Sequence, residues 1–153
     1  MSITQSLFVL TLAIFGAASA NPIANGNCIV ISDQDLVMHE RKPGQEFPYY
    51  VYMIPKGTEY DDQRWILEST NDGYFKLKNK FSGRYLVYGT FDYFLTAGAA
   101  VRAMDHFKFT ADGTGKYDIS SKANGHPRSR GKNWGVMKDG VEHYFTVENC
   151  QET

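Results

Sequence analysis

Hydrophobic and polar residues alternate in short runs along most of this 153-residue chain. The runs are rich in β-branched and aromatic residues, and no stretch of useful length keeps the helical period of 3.6. Clusters of Gly, Pro, Asn and Asp separate them, as in Lys42-Pro43-Gly44, Asn71-Asp72-Gly73 and Asp139-Gly140. The pattern therefore predicts an all-β protein.

Twelve short strands follow from this alternation. They are residues 28–32, 36–39, 49–54, 65–68, 74–78, 85–88, 94–96 (or 99–102), 107–110, 116–120, a weak one around 128, 134–137 and 144–148. Aromatic residues recur about forty residues apart at the start of three of these strands, at Trp65, Phe107 and Phe145. Three sets of four strands predict a β-trefoil, with these aromatics and their i+2 partners Leu67, Phe109 and Val147 pointing inward around a pseudo-threefold axis.

Cys28 and Cys150 lie near the two ends of the strand-rich region and are the only cysteines. In an oxidising compartment such a pair predicts a disulfide. The first and last strands must then be neighbours, as in a closed barrel. A catalytic thiol acting with one of the four histidines is the alternative.

Residues 1–20 predict a secretory signal peptide. An apolar run at 7–15 precedes small residues ending in Ala18-Ser19-Ala20, which is typical of a cleavage site. Residues 1–5 lack the usual Lys or Arg, and a buried N-terminal helix is the alternative. We expect a secreted, extracellular, monomeric protein with one β-trefoil domain at 21–153. No second apolar stretch predicts a membrane span.

Two segments resemble known trefoil families. Asp62-Gln63-Arg64-Trp65 resembles the Gln-x-Trp signature of ricin-B-type lectins, although that family usually has Asn where this chain has Asp62. The resemblance implies a core tryptophan and a polar pair that supports a sugar site. The segment 116–140 is similar to the third repeat of fibroblast growth factors, in which a basic segment binds heparan sulfate. Residues 83–86 recur in growth-factor and fascin-like trefoils alike.

A first candidate site binds sugar through the first repeat. Glycan recognition needs carboxylate or amide groups for hydroxyls and an aromatic face for the C–H surface of the ring. The candidates are Asp33 or Asp35, one of Tyr49, Tyr50 and Tyr52 (Tyr50 is preferred), Asp62, and Gln63 in support. The alternative is a solvated turn beside half-buried tyrosines.

A second candidate site is the basic segment 122–132, which contains no acidic residue. Arg128, Arg130 and Lys132 suit sulfate, phosphate or carboxylate groups, and Trp134 offers an exposed stacking surface. The alternative is a solvated loop whose charge offsets the acidic remainder.

Composition and motifs narrow the function to binding. The formal net charge of −1 disfavours nucleic-acid binding. Catalytic, metal-binding and cofactor-binding motifs are absent, so we expect no enzyme activity, no metal and no cofactor. The sequence predicts a lectin-like glycan binder. Two alternatives remain open: a growth-factor-like or antagonist protein that binds a receptor or sulfated polysaccharide, and a trefoil protease inhibitor directed at an extracellular protein.

Overall fold

A computed structural model describes residues 21–40, 48–89, 92–98, 104–123 and 125–152, and the predicted signal peptide lies outside these ranges. Twelve strands and one short 3-10 helix, Asp61–Gln63, occupy the described residues. The strands are β1 Cys28–Asp33, β2 Leu36–Glu40, β3 Tyr49–Pro55, β4 Trp65–Ser69, β5 Phe75–Asn79, β6 Tyr85–Tyr88, β7 Phe94–Ala97, β8 Phe107–Ala111, β9 Lys116–Ser121, β10 His126–Arg128, β11 Met137–Asp139 and β12 Tyr144–Asn149. Within the described part of the chain, no helix has the length and apolar character needed to cross a membrane.

Six strands close into an antiparallel barrel. The pairs run in the order β1–β4–β5–β8–β9–β12, and β12 pairs again with β1. The other six strands form three hairpins, β2–β3, β6–β7 and β10–β11, of which the first two are joined by pairing of β3 with β7. A six-stranded barrel with three hairpins is the β-trefoil arrangement, so the predicted fold class is confirmed.

The core contains the recurring aromatics. Trp65 and Phe107 are fully buried as the first residues of β4 and β8, and Phe145 is fully buried as the second residue of β12. Leu67 and Val147, two residues further along, are buried as predicted, whereas Phe109 is only partly buried. Its ring packs edge-to-face against two neighbouring aromatic rings, those of Phe75 and Tyr117. Aromatic neighbours thus shield Phe109 where the barrel interior does not enclose it.

The two ends of the barrel are covalently joined. A disulfide links Cys28 and Cys150, and β1 pairs with β12 from Ile29 opposite Asn149 onwards. The predicted disulfide and the predicted proximity of the first and last strands are therefore confirmed.

One predicted strand lies elsewhere along the chain. Alternation predicted a strand at 134–137, but β11 begins at Met137. Positive φ angles at Gly131 and Asn133 turn the backbone just before this point. The next residues pair with other repeats through isolated β-bridges, such as that between Tyr52 and Gly135, and not through a continuous strand. For the seventh strand, β7 agrees with the prediction at 94–96, and the alternative at 99–102 lies outside the described residues.

Candidate functional site

Strand β3 of the first repeat, β7 of the second repeat and the residues just before β11 of the third repeat meet at one place. Tyr50 of β3 pairs with Leu95 of β7, and Tyr52 forms a bridge with Gly135. The Val136 N–H group donates to the Val51 carbonyl (2.8 Å) and the Val136 carbonyl accepts from Phe94 N–H (2.9 Å). Backbone hydrogen bonds thus hold one segment from each repeat around the pseudo-threefold axis.

A cavity of about 350 Å³ opens at this junction. Its lining residues come from all three repeats: Tyr50, Tyr52, Tyr93, Asn133, Trp134 and Gly135. Tyr50, Tyr93 and Trp134 are separated by about forty residues each, which matches the period of the repeat. We call this cavity the axial pocket.

Trp134 combines an exposed side chain with an anchored backbone. The side chain is exposed, with 59% of the residue accessible to solvent. Two backbone hydrogen bonds to Met53 anchor the segment. The N–H group of Asn133, the preceding residue, donates to the Met53 carbonyl (2.8 Å), and the Met53 N–H group donates to the Trp134 carbonyl (3.1 Å). Because the backbone of Trp134 is already held in place, only its side-chain torsions have to be ordered when a ligand binds.

The neighbours of Trp134 shape the rest of the axial pocket. Asn133 has a left-handed φ of 63°, which Asn tolerates better than most residues, and it brings an exposed amide to the rim. At Gly135, a Cβ atom would lie 3.0 Å from the Tyr93 ring, so glycine allows this ring to contact the backbone. Tyr93 also packs edge-to-face against Tyr50, with ring centroids 5.6 Å apart.

The structure brings residues of both candidate sites together. Tyr50 and Tyr52 of the first site and Trp134 of the second line the same axial pocket, whereas Asp33, Asp62 and Gln63 do not line it. Tyr93 was missed, although its spacing from Tyr50 and Trp134 could have revealed it.

The polar residues of the first candidate site lie among other protein groups. The Asp33 carboxylate is 3.0 Å from His143 Nε2. Asp62 is 8% exposed, with its Oδ2 atom 3.9 Å from His39 Nδ1 and its Oδ1 atom buried without a hydrogen bond to a described residue. Gln63 is 5% exposed. A sugar-binding role for these three residues stays a prediction.

The basic segment contributes to a second cavity, of about 440 Å³, which we call the basic cavity. It is lined by Arg128, Ser129, Arg130, Met137, Lys138 and Asp139. The Arg128 guanidinium donates to the Asp139 carboxylate and holds the pKa of that carboxyl below its usual range. Lys132 is exposed but lines neither cavity.

Lys138 of the basic cavity was not identified from sequence because it lies beyond the basic segment. Strand pairing places it opposite Pro127, across the β10–β11 hairpin. In the described ranges, no three His, Cys, Asp or Glu side chains are grouped to hold a metal ion.

Comparison with known proteins supports the fold assignment. No family model matches the chain. The crystal structure of the BEL β-trefoil is similar with a TM-score of 0.69 at 19% identity, over 86% of this chain and 98% of that protein. The structure of SeviL bound to the asialo-GM1 saccharide is similar with a TM-score of 0.65 at 12% identity, over 83% of this chain and 100% of SeviL.

A much closer similarity is found in sequence. The chain is 90% identical over 152 residues to erythema protein SVEP of Simulium vittatum, covering 99% of this chain and 100% of that protein. At this identity and coverage, the chain belongs to the same protein family as erythema protein SVEP.

Proposed function

We propose that the protein is a secreted, extracellular carbohydrate-binding protein that acts by recognition and not by catalysis. The observation that carries this proposal is the exposed Trp134 ring on an anchored backbone, surrounded by tyrosines and an amide. Because all three repeats contribute to the axial pocket, we expect one carbohydrate site per chain.

The axial pocket offers both kinds of contact that a sugar needs. The indole of Trp134 presents an apolar face for the C–H surface of a pyranose ring. Asn133 supplies an amide donor and acceptor for hydroxyl groups. The phenol groups of Tyr50, Tyr52 and Tyr93 form no hydrogen bond with any described residue, so each is available to a ligand hydroxyl.

Two proteins similar to this chain, one in fold and one in sequence, are consistent with this proposal. SeviL, which shares the fold, has a known structure with the asialo-GM1 saccharide bound to it. The name of erythema protein SVEP refers to a reddening of skin. We infer that the present protein takes part in an erythema reaction and that it does so by recognising an extracellular glycan.

The proposal is tested by screening residues 21–153, with the disulfide formed, against an array of neutral and acidic glycans. Binding of at least one glycan family is expected, and Trp134→Ala should lower affinity about tenfold, since losing about 1.4 kcal/mol of ring stacking corresponds to that factor. Phe81→Ala is the matched control, because Phe81 is also an exposed aromatic residue (55%) but lies outside the axial pocket. An array without binding, or equal losses in both variants, contradicts the proposal.

A further inference from the structure

We propose that the glycan recognised in the axial pocket carries an acidic group, a sulfate or a carboxylate, and that this group binds in the adjoining basic cavity. This inference rests on the proposed carbohydrate-binding function and adds the chemical class of the ligand. The basic cavity thus serves as an extension of the axial pocket.

One loop lines both cavities. Ser129 and Arg130 line the basic cavity, and Asn133 and Trp134 line the axial pocket a few residues further on. Met137 returns to the basic cavity and forms a bridge with Tyr93 of the axial pocket. The two cavities are therefore connected through shared backbone.

The charge of the basic cavity favours an anion. Three cationic side chains line it (Arg128, Arg130 and Lys138), against the single carboxylate of Asp139. Asp139 is bonded to Arg128, whereas Arg130 and Lys138 form no ion pair with a described residue. Two positive charges are thus left for a ligand, and an arginine and a lysine both donate hydrogen bonds suited to sulfate or carboxylate oxygens.

These two cations are held by neighbouring side chains. Arg130 Nη1 lies 3.2 Å from Met137 Sδ, and Lys138 Nζ lies 5.0 Å from the centre of the Tyr88 ring. A cation held over an aromatic face keeps its charge and its N–H donors. The Ser129 hydroxyl adds a further donor at the cavity wall.

A short oligosaccharide is long enough to reach both cavities. Arg130 and Asn133 are three residues apart, so their Cα atoms are separated by at most about 11 Å. Lys138 also lines a third cavity of about 610 Å³, in which Lys122 is paired with Asp72 and His126 with Asp118. A chain of sugars with an acidic substituent fits this arrangement better than a single neutral sugar.

The test compares a neutral oligosaccharide with its sulfated form by isothermal titration calorimetry, in low and high salt. The neutral probe is the best neutral ligand from the array, so that the two probes differ only in sulfate. The wild-type protein should bind the sulfated probe about tenfold more tightly, because a hydrogen bond to a charged group is worth more than one to a neutral group. High salt should remove this preference but leave neutral binding unchanged.

Three variants separate the contributions of the basic cavity, the axial pocket and general charge. The double variant Arg130→Ala/Lys138→Ala should lose the preference for sulfate while it keeps neutral affinity. Trp134→Ala should weaken both probes. Lys108→Ala/Lys116→Ala is the control: these exposed strand lysines form no ion pair with a described residue, so the variant makes the same change in net charge outside both cavities.

The outcomes distinguish the two proposals. If the neutral probe binds and sulfate brings no gain, the acidic-ligand inference is overturned and the proposed function stands. If the control variant loses the preference as fully as the double variant, general charge explains it and the inference also fails. If Trp134→Ala binds the sulfated probe as tightly as the wild-type protein does, or if the wild-type protein binds neither probe, the axial pocket is not the carbohydrate site and both proposals fail.

Discussion

At the axial pocket, backbone contacts determine the conformations of single residues. Asn133 takes up a left-handed conformation and, with Trp134, is hydrogen-bonded to Met53, so the backbone that carries the exposed indole is held in place. Gly135 has no side chain where the Tyr93 ring packs. The shape of the pocket thus depends on an absent Cβ atom as much as on the aromatic rings.

Gly135→Ala is therefore expected to weaken glycan binding several-fold while the fold is retained. The new methyl group would lie 3.0 Å from two atoms of the Tyr93 ring, and this ring must shift out of its place in the pocket. Calorimetric titration with the best array ligand measures the affinity, and thermal unfolding checks the fold. Gly140→Ala is the control, because its added Cβ atom meets no heavy atom within 4 Å. Unchanged affinity in Gly135→Ala would show that the Tyr93 ring makes no contact with the ligand.

At the scale of elements, a buried carboxylate joins two of the three hairpins. Glu40, at the end of β2, is almost fully buried. It accepts hydrogen bonds from Arg84 Nε (2.9 Å), from Ser82 (2.9 Å) and from Thr96 of β7, and Arg84 Nη2 lies 2.7 Å away as its ion-pair partner. The Arg84 guanidinium in turn stacks on Tyr49 of β3, 3.8 Å from the ring centre. The ion pair therefore supports the pairing of β3 with β7, on which the axial pocket is built.

Glu40→Ala is expected to lower the free energy of unfolding by about 3 kcal/mol, because it removes one partner of a buried ion pair and leaves Arg84 without its carboxylate. Urea denaturation measures the change. The control is Glu148→Ala, since the Glu148 side chain is 59% exposed in its contact with Lys56 and should contribute less than about 1 kcal/mol. Similar losses in the two variants would mean that burial of Glu40 adds nothing.

At the scale of the whole molecule, the disulfide closes almost the entire strand-rich region. The bonded cysteines are 122 residues apart. In the chain-entropy model, a loop of this length contributes about 4–5 kcal/mol by restricting the unfolded chain. Cys28→Ser/Cys150→Ser should therefore lose about that much stability in urea while its circular dichroism spectrum keeps the β-sheet signal. A loss below about 1 kcal/mol would contradict this.

Acid should also destabilise the whole molecule. The pKa values of Asp61, Asp72, Asp112 and Asp139 are all lowered in the folded protein, at Asp72 chiefly by hydrogen bonding from Lys122. A carboxyl with a lowered folded pKa stabilises the fold above its unfolded value near 4, and this contribution is lost as the pH falls. The melting temperature should thus be steady from pH 7 to about 5 and then decrease.

Asp72→Asn tests the contribution of one such carboxyl, because the amide cannot be titrated. Its melting temperature should decrease less steeply below about pH 4 than that of the wild-type protein. Identical acid profiles, measured by differential scanning calorimetry, would exclude a contribution from the Asp72–Lys122 pair.

The sequence alone determined the features that depend on local alternation of side chains, on the recurring aromatic residues and on the pair of cysteines. Strand positions other than that of β11 follow from side chains that alternate between two faces, and Trp65, Phe107 and Phe145 indicate the repeat and the core. The cysteine pair likewise predicted which ends meet.

Only the tertiary structure decided which surface residues share a site. Tyr50, Tyr93 and Trp134 are about forty residues apart and meet only because barrel closure brings three hairpins to one axis. Pairing across the β10–β11 hairpin likewise places Lys138 in the same cavity as Arg130. The fold also buries Gln63, although its polar side chain is typical of a surface residue. Alternation specifies the face of a strand on which a side chain lies, but contacts between repeats depend on the closed barrel as a whole.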